Sequence, residues 1–406
     1  MTCIDGGVLR KWRRSRGWDV PALAREMRRT AGGDPLPFHD ALVRMIRRWE
    51  REGLNTRRAE RYELLYAAVF GVRPEDLRIV KFGADKQPEQ DRAVPSPHGP
   101  DMITAIAGTL HTVPDDYPQR DRAALKRDVL RAWELRQSSQ YVELGSLIAG
   151  LLRDTAVSQV DPGIAVHICN MASSLLKSVG AHEMSAMLAD RAFRVASQDG
   201  GGLLIGAAKL RIANVYLAAG RHAEAVSVAA AAADDLPPAR TSPPKEIATF
   251  GALLLTAAVA AARTGDRAQA WEFLGHARAA TAVSGGEHAD LYAVFGPANL
   301  AVHGVQVATE LGDGREALRR AEMADPARLP AVLLERRSTL LIDIARAQHM
   351  QRDSTGAGET LLEAERVAPL EVRYSSAARG LLGDLLSGGR VSGEMRALAE
   401  RLNVAA

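Results

Sequence analysis

Residues 211–238, RIANVYLAAGRHAEAVSVAAAAADDLPP, read as two helices joined at a glycine. Ala213 and Tyr216 supply a small and an aromatic position on the first helix, Gly220 the turn, Ala225, Ala229 and Ala232 the small positions of the second, and Pro237 its end. Each residue type has a physical use. Small side chains let paired backbones approach closely, glycine adopts the positive φ that ends a helix, and proline cannot continue one. Such a pair has an apolar face that it cannot cover alone, so the pattern calls for further pairs stacked against it.

Those pairs recur along the chain. Ala258, Gly265, Ala270, Leu274 and Ala277 form the next copy, followed by Gly312, Ala317 and Ala324, then Ala345, Ala357, Leu361, Ala364 and Pro369. Upstream, Gly180, Ser185, Ala189 and Ala192 fit the same scheme, and a degenerate copy precedes them with Trp133 and Leu135, a turn at Ser138-Ser139, and Leu144, Ile148 and Leu151. The small position of the second helix falls at 185, 225, 270, 317 and 357, spacings of 40, 45, 47 and 40. This alternation resembles the tetratricopeptide repeat, whose unit is about 34 residues, so the extra residues must lengthen helices or loops.

The amino-terminal part reads differently. In residues 39–52, HDALVRMIRRWERE, Leu42, Met45, Ile46 and Trp49 form one helical stripe, and Arg44, Arg47, Arg48 and Arg51 repeat the spacing on another. Val8, Leu9 and Trp12 mark an earlier short helix with Arg13 and Arg14 beside them, ended by Gly17. Asp19 is placed to cap a second helix that has Pro21 in its first turn and Leu23, Ala24 and Met27 on its apolar side. A fourth helix is expected at 56–69, closing the core with Tyr62, Leu65, Tyr66 and Val69, with Phe70-Gly71-Val72 ending it. Four helices in this order suggest a helix-turn-helix unit whose arginine face enters the major groove of DNA, although GGDPLPF at 32–38 makes a longer turn than the minimal motif uses.

The expected architecture is therefore all-α: a helix-turn-helix bundle at 1–80, a linker at 81–100 and a TPR-like α-solenoid at 101–406. The linker, KFGADKQPEQDRAVPSPHGP, loses apolar periodicity and gains Pro, Gly and charge. Residues 1–80 hold 17 basic against 11 acidic side chains, a surplus of six, while the whole chain carries a formal charge of +3, so the remainder is slightly acidic. That asymmetry favours phosphate attraction by the amino-terminal part.

Other functions find little support in the residues. Cys3 and Cys169 stand far apart, which argues against a disulfide framework and for a reducing compartment. MTCIDGGVLRKW has no apolar leader, and the longest apolar run, Phe250 to Ala262, is short for a membrane span and reads as a buried helix, so a cytoplasmic protein is expected. Phosphate-binding, zincin and nucleophile-elbow motifs are lacking, and the ten histidines lack metal-ligand spacing. Neither an enzyme nor a cofactor or metal is expected.

A ligand of the repeat array would lie against the first helix of each pair. Trp133, Arg136, Asn170, Ser174, Lys177, Asn214, Asn299, Gln306 and Arg346 are the candidates there, the amides to pair with a peptide backbone and Arg136, Lys177 and Arg346 to hold a carboxylate. An extended peptide or a polar small molecule fits that mixture.

The runs VLRKWRRSRGWDVPALAREM and MIRRWEREGLNTRRAERYELLYAAVFGVRPEDL resemble the helix-turn-helix domain of actinobacterial XRE-family transcriptional regulators. FGPANLAVHGVQVATELGD, LIDIARAQHMQRD and LLEAERVAPLEVRY look like the tetratricopeptide portion of those regulators. The resemblance implies a homodimeric transcription factor on double-stranded DNA whose repeat domain perceives a signal. By motif, Arg44, Arg47 and Arg48, with Arg51 on the same face, would contact bases or phosphates, and Arg13 and Arg14 phosphates. The competing account is a repeat scaffold that captures a protein partner and needs no small ligand.

Overall fold

The computed structural model describes residues 6–16, 18–31, 36–37, 39–52, 59–70, 99–111, 120–157, 160–199, 201–237, 242–324, 329–388 and 392–404. Among them it is all-α, with twenty helices and one two-stranded hairpin. The chain forms two compact units, Met1–Arg92 and Ala93–Ala406. Their boundary falls within 81–100, and positions 81–98 lie outside the described residues, as do Gly17 and most of the 32–38 turn.

The first unit holds α1 (Gly6–Ser15), α2 (Val20–Thr30), α3 (His39–Glu52) and α4 (Ala59–Phe70). Asp19 caps α2, its carboxylate accepting from the Ala22 amide at 2.6 Å, with Pro21 in the first turn. Helix α3 packs on α1 and α2, and α4 packs on α2. Leu9, Leu23, Met27, Leu42, Ile46, Trp49 and Tyr66 are fully or almost fully buried in the shared core. Phe70 ends α4 as expected and also belongs to that core. Its ring lies 5.6 Å from Trp12, 5.7 Å from Trp18 and 6.1 Å from Tyr66.

The second unit opens with α5 (Gly99–His111) and continues in pairs: α6 (Arg122–Gln137) with α7 (Tyr141–Val157), α8 (Pro162–Ser178) with α9 (His182–Asp199), and α10 (Gly202–Ala218) with α11 (His222–Asp234). Next come α12 (Pro244–Thr264) with α13 (Arg267–Ser284), a hairpin of β1 (His288–Ala289) and β2 (Val294–Phe295), α14 (Pro297–Glu310) with α15 (Gly314–Met323), and α16 (Leu334–Met350) with α17 (Ser354–Val367). The short α18 (Pro369–Tyr374), then α19 (Ser376–Ser387) and α20 (Gly393–Leu402), complete it. Within a pair the two helices pack on each other, and the first helices of successive pairs, α6, α8, α10, α12, α14 and α16, also touch in turn.

One turn joins the helices of six pairs. Its left-handed residue is Ser139, Gly180, Gly220, Gly265, Gly312 or Arg352. In every copy the next amide donates back across the turn to the carbonyl five residues earlier, at 2.8–3.1 Å: Gln140 to Leu135, Ala181 to Leu176, Arg221 to Tyr216, Asp266 to Ala261, Asp313 to Ala308 and Asp353 to Gln348. Five residues beyond each left-handed position stand Leu144, Ser185, Ala225, Ala270, Ala317 and Ala357, all fully buried. The last five are the small positions that the sequence pattern marks. Ser185 satisfies its hydroxyl there by donating to the Ser173 carbonyl at 2.7 Å, while the Ser173 hydroxyl donates to the Ser185 carbonyl at 2.9 Å.

Helix α12 is long and apolar enough to cross a membrane, yet 78% of its apolar window is buried inside the protein. It is a core helix, as the run from Phe250 suggested. Gly251 on it faces Phe295 of β2 so closely that a β-carbon would overlap the ring, and the hairpin seats against α12 there.

Candidate functional site

In the first unit, α3 is clamped on one side and open on the other. Leu42, Ile46 and Trp49 bury the clamped side, and Glu50 extends it with only 5% exposure. The Glu50 carboxylate accepts two hydrogen bonds from Arg13, from Nε at 2.6 Å and from an Nη at 2.8 Å, and Arg10 donates to the Glu50 carbonyl at 2.8 Å. Arg13 also donates to the Trp18 carbonyl at 2.6 Å. This corrects its expected role as a phosphate contact, because a bidentate partner and its own burial commit the guanidinium to tying α1 to α3. The Arg14 side chain lies outside the described residues.

Arg44, Arg47, Arg48 and Arg51 are all exposed, and with Ala41 and Met45 they line one open face of α3. Among the described residues Arg44, Arg47 and Arg51 form no ion pair. The face is thus cationic, continuous over about two helical turns, and backed by a rigid core.

The second candidate is in the interior of the second unit. The array turns back so that α6 touches α16, and α18 reaches the first pair. Arg136 is buried at the meeting point, donating to the hydroxyls of Ser174 and Ser178 at 3.0 Å each, to Tyr141 at 3.1 Å and to the Glu371 carboxylate at 3.3 Å. Glu371 also accepts from Ser139 at 3.0 Å and, closely, from the Tyr141 hydroxyl. Burial opposes the charge on Arg136, but Tyr141, Glu371 and Glu335 beside it outweigh that and hold it firmly protonated. Arg136 was expected to hold the carboxylate of a ligand, and this is corrected: its guanidinium is committed to the chain's own Glu371.

The chain fills the wall expected to take a peptide in a second way. Leu291, between the hairpin strands, and Leu370 and Tyr374 of α18 pack against the core formed by the first helices of the unit. Tyr292 sits edge-on to His167 at 4.6 Å, with the Lys245 ammonium 5.4 Å over its ring. Burial lowers His167 to about 4, so the imidazole is neutral at ordinary pH.

The remaining expected ligand residues divide by partner. Asn299 is fully buried and donates to the Val294 carbonyl at 2.8 Å, and Arg346 is held by Asp343 at 2.9 Å and Glu310 at 3.0 Å, the latter shared with Arg263 at 3.2 Å. Arg346 is corrected to a holding role, because its guanidinium is committed to Asp343 on its own helix and to Glu310 of α14, and the Asn299 amide nitrogen ties α14 to β2 while its Oδ1 is buried without a partner. Asn214 donates to Leu210 on its own helix at 2.8 Å, Trp133 packs half-buried on the first core, and Gln306 is half-buried. Asn170, Ser174 and Lys177 share one face of α8 at the interior cluster, with Asn170 donating to the Ala207 carbonyl of α10 at 3.5 Å.

Four members of this cluster escaped the sequence reading: Arg211 of α10, His303 of α14, and Glu335 and Arg336 of α16. Burial works against the Glu335 carboxylate, yet Arg336, Arg136 and Lys177 bring it down to about 2. Burial and then Arg136 lower Lys177 to about 8, and burial with Arg136 and Arg336 lowers Arg211 to about 10. The only local signal was a charged residue on the inward stripe of a first helix, as Arg211 is, four positions after Ala207. Among the described residues no group of acidic, histidine or cysteine side chains is arranged to hold a metal. Cys169 is a buried free thiol, pushed up to about 11 by burial.

Compared with known protein families, curated proteins and solved structures, the chain finds no match in any of the three.

Proposed function

We propose that the chain is a transcriptional regulator that binds double-stranded DNA through α3 as a homodimer, and whose helix-pair unit responds to a peptide or small-molecule signal. The observation that carries this reading is the face of Arg44, Arg47, Arg48 and Arg51, exposed while Leu42, Ile46, Trp49 and Glu50 lock the other side of the helix into a core. A helix held rigid from behind and cationic in front suits the major groove, where arginine pairs with guanine edges and with phosphates. A ligand alters DNA binding only by favouring one arrangement of the molecule over another, and the interior cluster, where early and late helices meet, is where such a preference would act.

Selection of binding sites from random duplex DNA, followed by mobility shifts at several salt concentrations, tests this. Arg44→Ala and Arg47→Ala are each expected either to reduce the salt slope by about one, as for a lost phosphate contact, or to cost about 1–3 kcal/mol at particular base pairs. Unchanged affinity and slope in both variants would remove α3 as the contact. A protein scaffold would give no sequence-selective shift at all.

A further inference from the structure

The charges at the centre of the second unit do not balance. Arg136, Lys177, Arg211 and Arg336 come from four different helices and lie near enough to perturb one another, while the carboxylates facing them are Glu335 and Glu371. Those two are already engaged. Glu371 is held by Arg136, Tyr141 and Ser139, and Glu335 has Arg336 at 3.4 Å. Lys177 and Arg211 form no ion pair among the described residues, and the Arg211 Nε is buried with no hydrogen-bond partner. The Oδ1 of Asn170 is also unpartnered on a side chain only 6% exposed.

The placement of these groups follows from helix geometry. Asn170, Ser174 and Lys177 recur at i, i+4 and i+7 on α8, and the Asn170 amide reaches Ala207, one turn before Arg211 on the facing α10. Lys177 and Arg211 are half-buried, so each retains some solvent contact within the crowd of charges. Unpaired cations in such a place weaken the protein by desolvation and mutual repulsion, and an anion bound between them would relieve both.

We infer that Lys177 and Arg211 form an interior binding site for a compact oxyanion, the carboxylate or phosphate group of a small molecule, with the Asn170 Oδ1 accepting from a hydroxyl or amine on the same ligand. The inference deepens the sensing half of the proposed function and rests on it only for its regulatory meaning.

Thermal unfolding of the full chain, titrated with inorganic phosphate or with malonate at an ionic strength held constant with sodium chloride, tests the site without DNA. The expected result is a saturable rise in Tm with at least one of the two, and the more effective anion identifies the ligand's acidic group. Arg211→Met is expected to raise Tm in the absence of added anion, by removing an unpaired charge, while weakening anion binding about tenfold or more. A side chain that only supported the fold would lower Tm instead. No effect of either anion beyond chloride, or wild-type binding by Arg211→Met, overturns the site. Should Arg211→Met fail to fold, Lys177→Met carries the same expectations through the same titration. Loss of DNA binding by the α3 variants would leave this result untouched, so the two readings fail separately.

Discussion

Glu50 holds the proposed recognition helix more firmly than any arginine on its surface. It lies four residues after Ile46 and so falls on the apolar stripe, where a carboxylate is affordable only with Arg13 closing on it from α1. Removing one partner of such a buried pair strands the other, so Glu50→Ala is expected to destabilise the first unit by about 3–5 kcal/mol in denaturant titrations followed by tryptophan fluorescence. The exposed Arg44→Ala should change its stability by no more than about 0.5 kcal/mol. The same contrast shows what was legible at this scale. The split between Leu42, Ile46 and Trp49 on one side and the arginines on the other is a periodicity, which a sequence displays. Whether Arg13 is free or clamped depends on a partner 37 positions away, which it does not.

At the scale of the element, the turns were the most readable part of the second unit and also the place where reading stopped. Gly180, Gly220, Gly265 and Gly312 announce a left-handed residue because glycine meets no β-carbon penalty there. Ser139 and Arg352 occupy the same position without that signal, and only the repeated hydrogen bond across the turn reveals their equivalence. Arg352 is exposed and at φ 69°, so Arg352→Gly is expected to raise stability by about 0.5–1 kcal/mol, measurable as a shift in the unfolding midpoint. The hairpin left no trace in the sequence pattern because strands of two residues carry no alternation. Helix α18 was hidden for a similar reason: its six residues begin at Pro369, which the repeat pattern uses as a terminator.

For the whole molecule, buried titratable groups set the response to pH. His167 and His303 are each lowered to about 4, in both cases chiefly by burial. Between that value and the ordinary 6.5 the unfolded chain binds protons that the folded one refuses, so stability falls as pH drops from about 6.5 toward 4. Asp343 acts in the opposite sense, since burial raises it to about 6 and the folded state gains by keeping its proton below that pH. Two histidines against one aspartate leave a net loss on acidification. His303→Gln with His167→Gln is expected to flatten the fall of Tm between pH 6.5 and 4.5, and an unchanged slope would mean that neither imidazole is buried as neutral. None of this was visible in a sequence whose histidines are scattered. Their burial is created by stacking, and stacking brings together residues more than a hundred positions apart.

The contact of Arg136 with Glu371 gives the helix-pair array a mechanical character of its own. An open row of repeats behaves like a spring, free to fray from either end and to lengthen under load. Here the first pair is clasped to a helix 235 residues further on. The ends of the row are thereby tied together, and a disturbance at one of them is felt at the other without travelling through the middle.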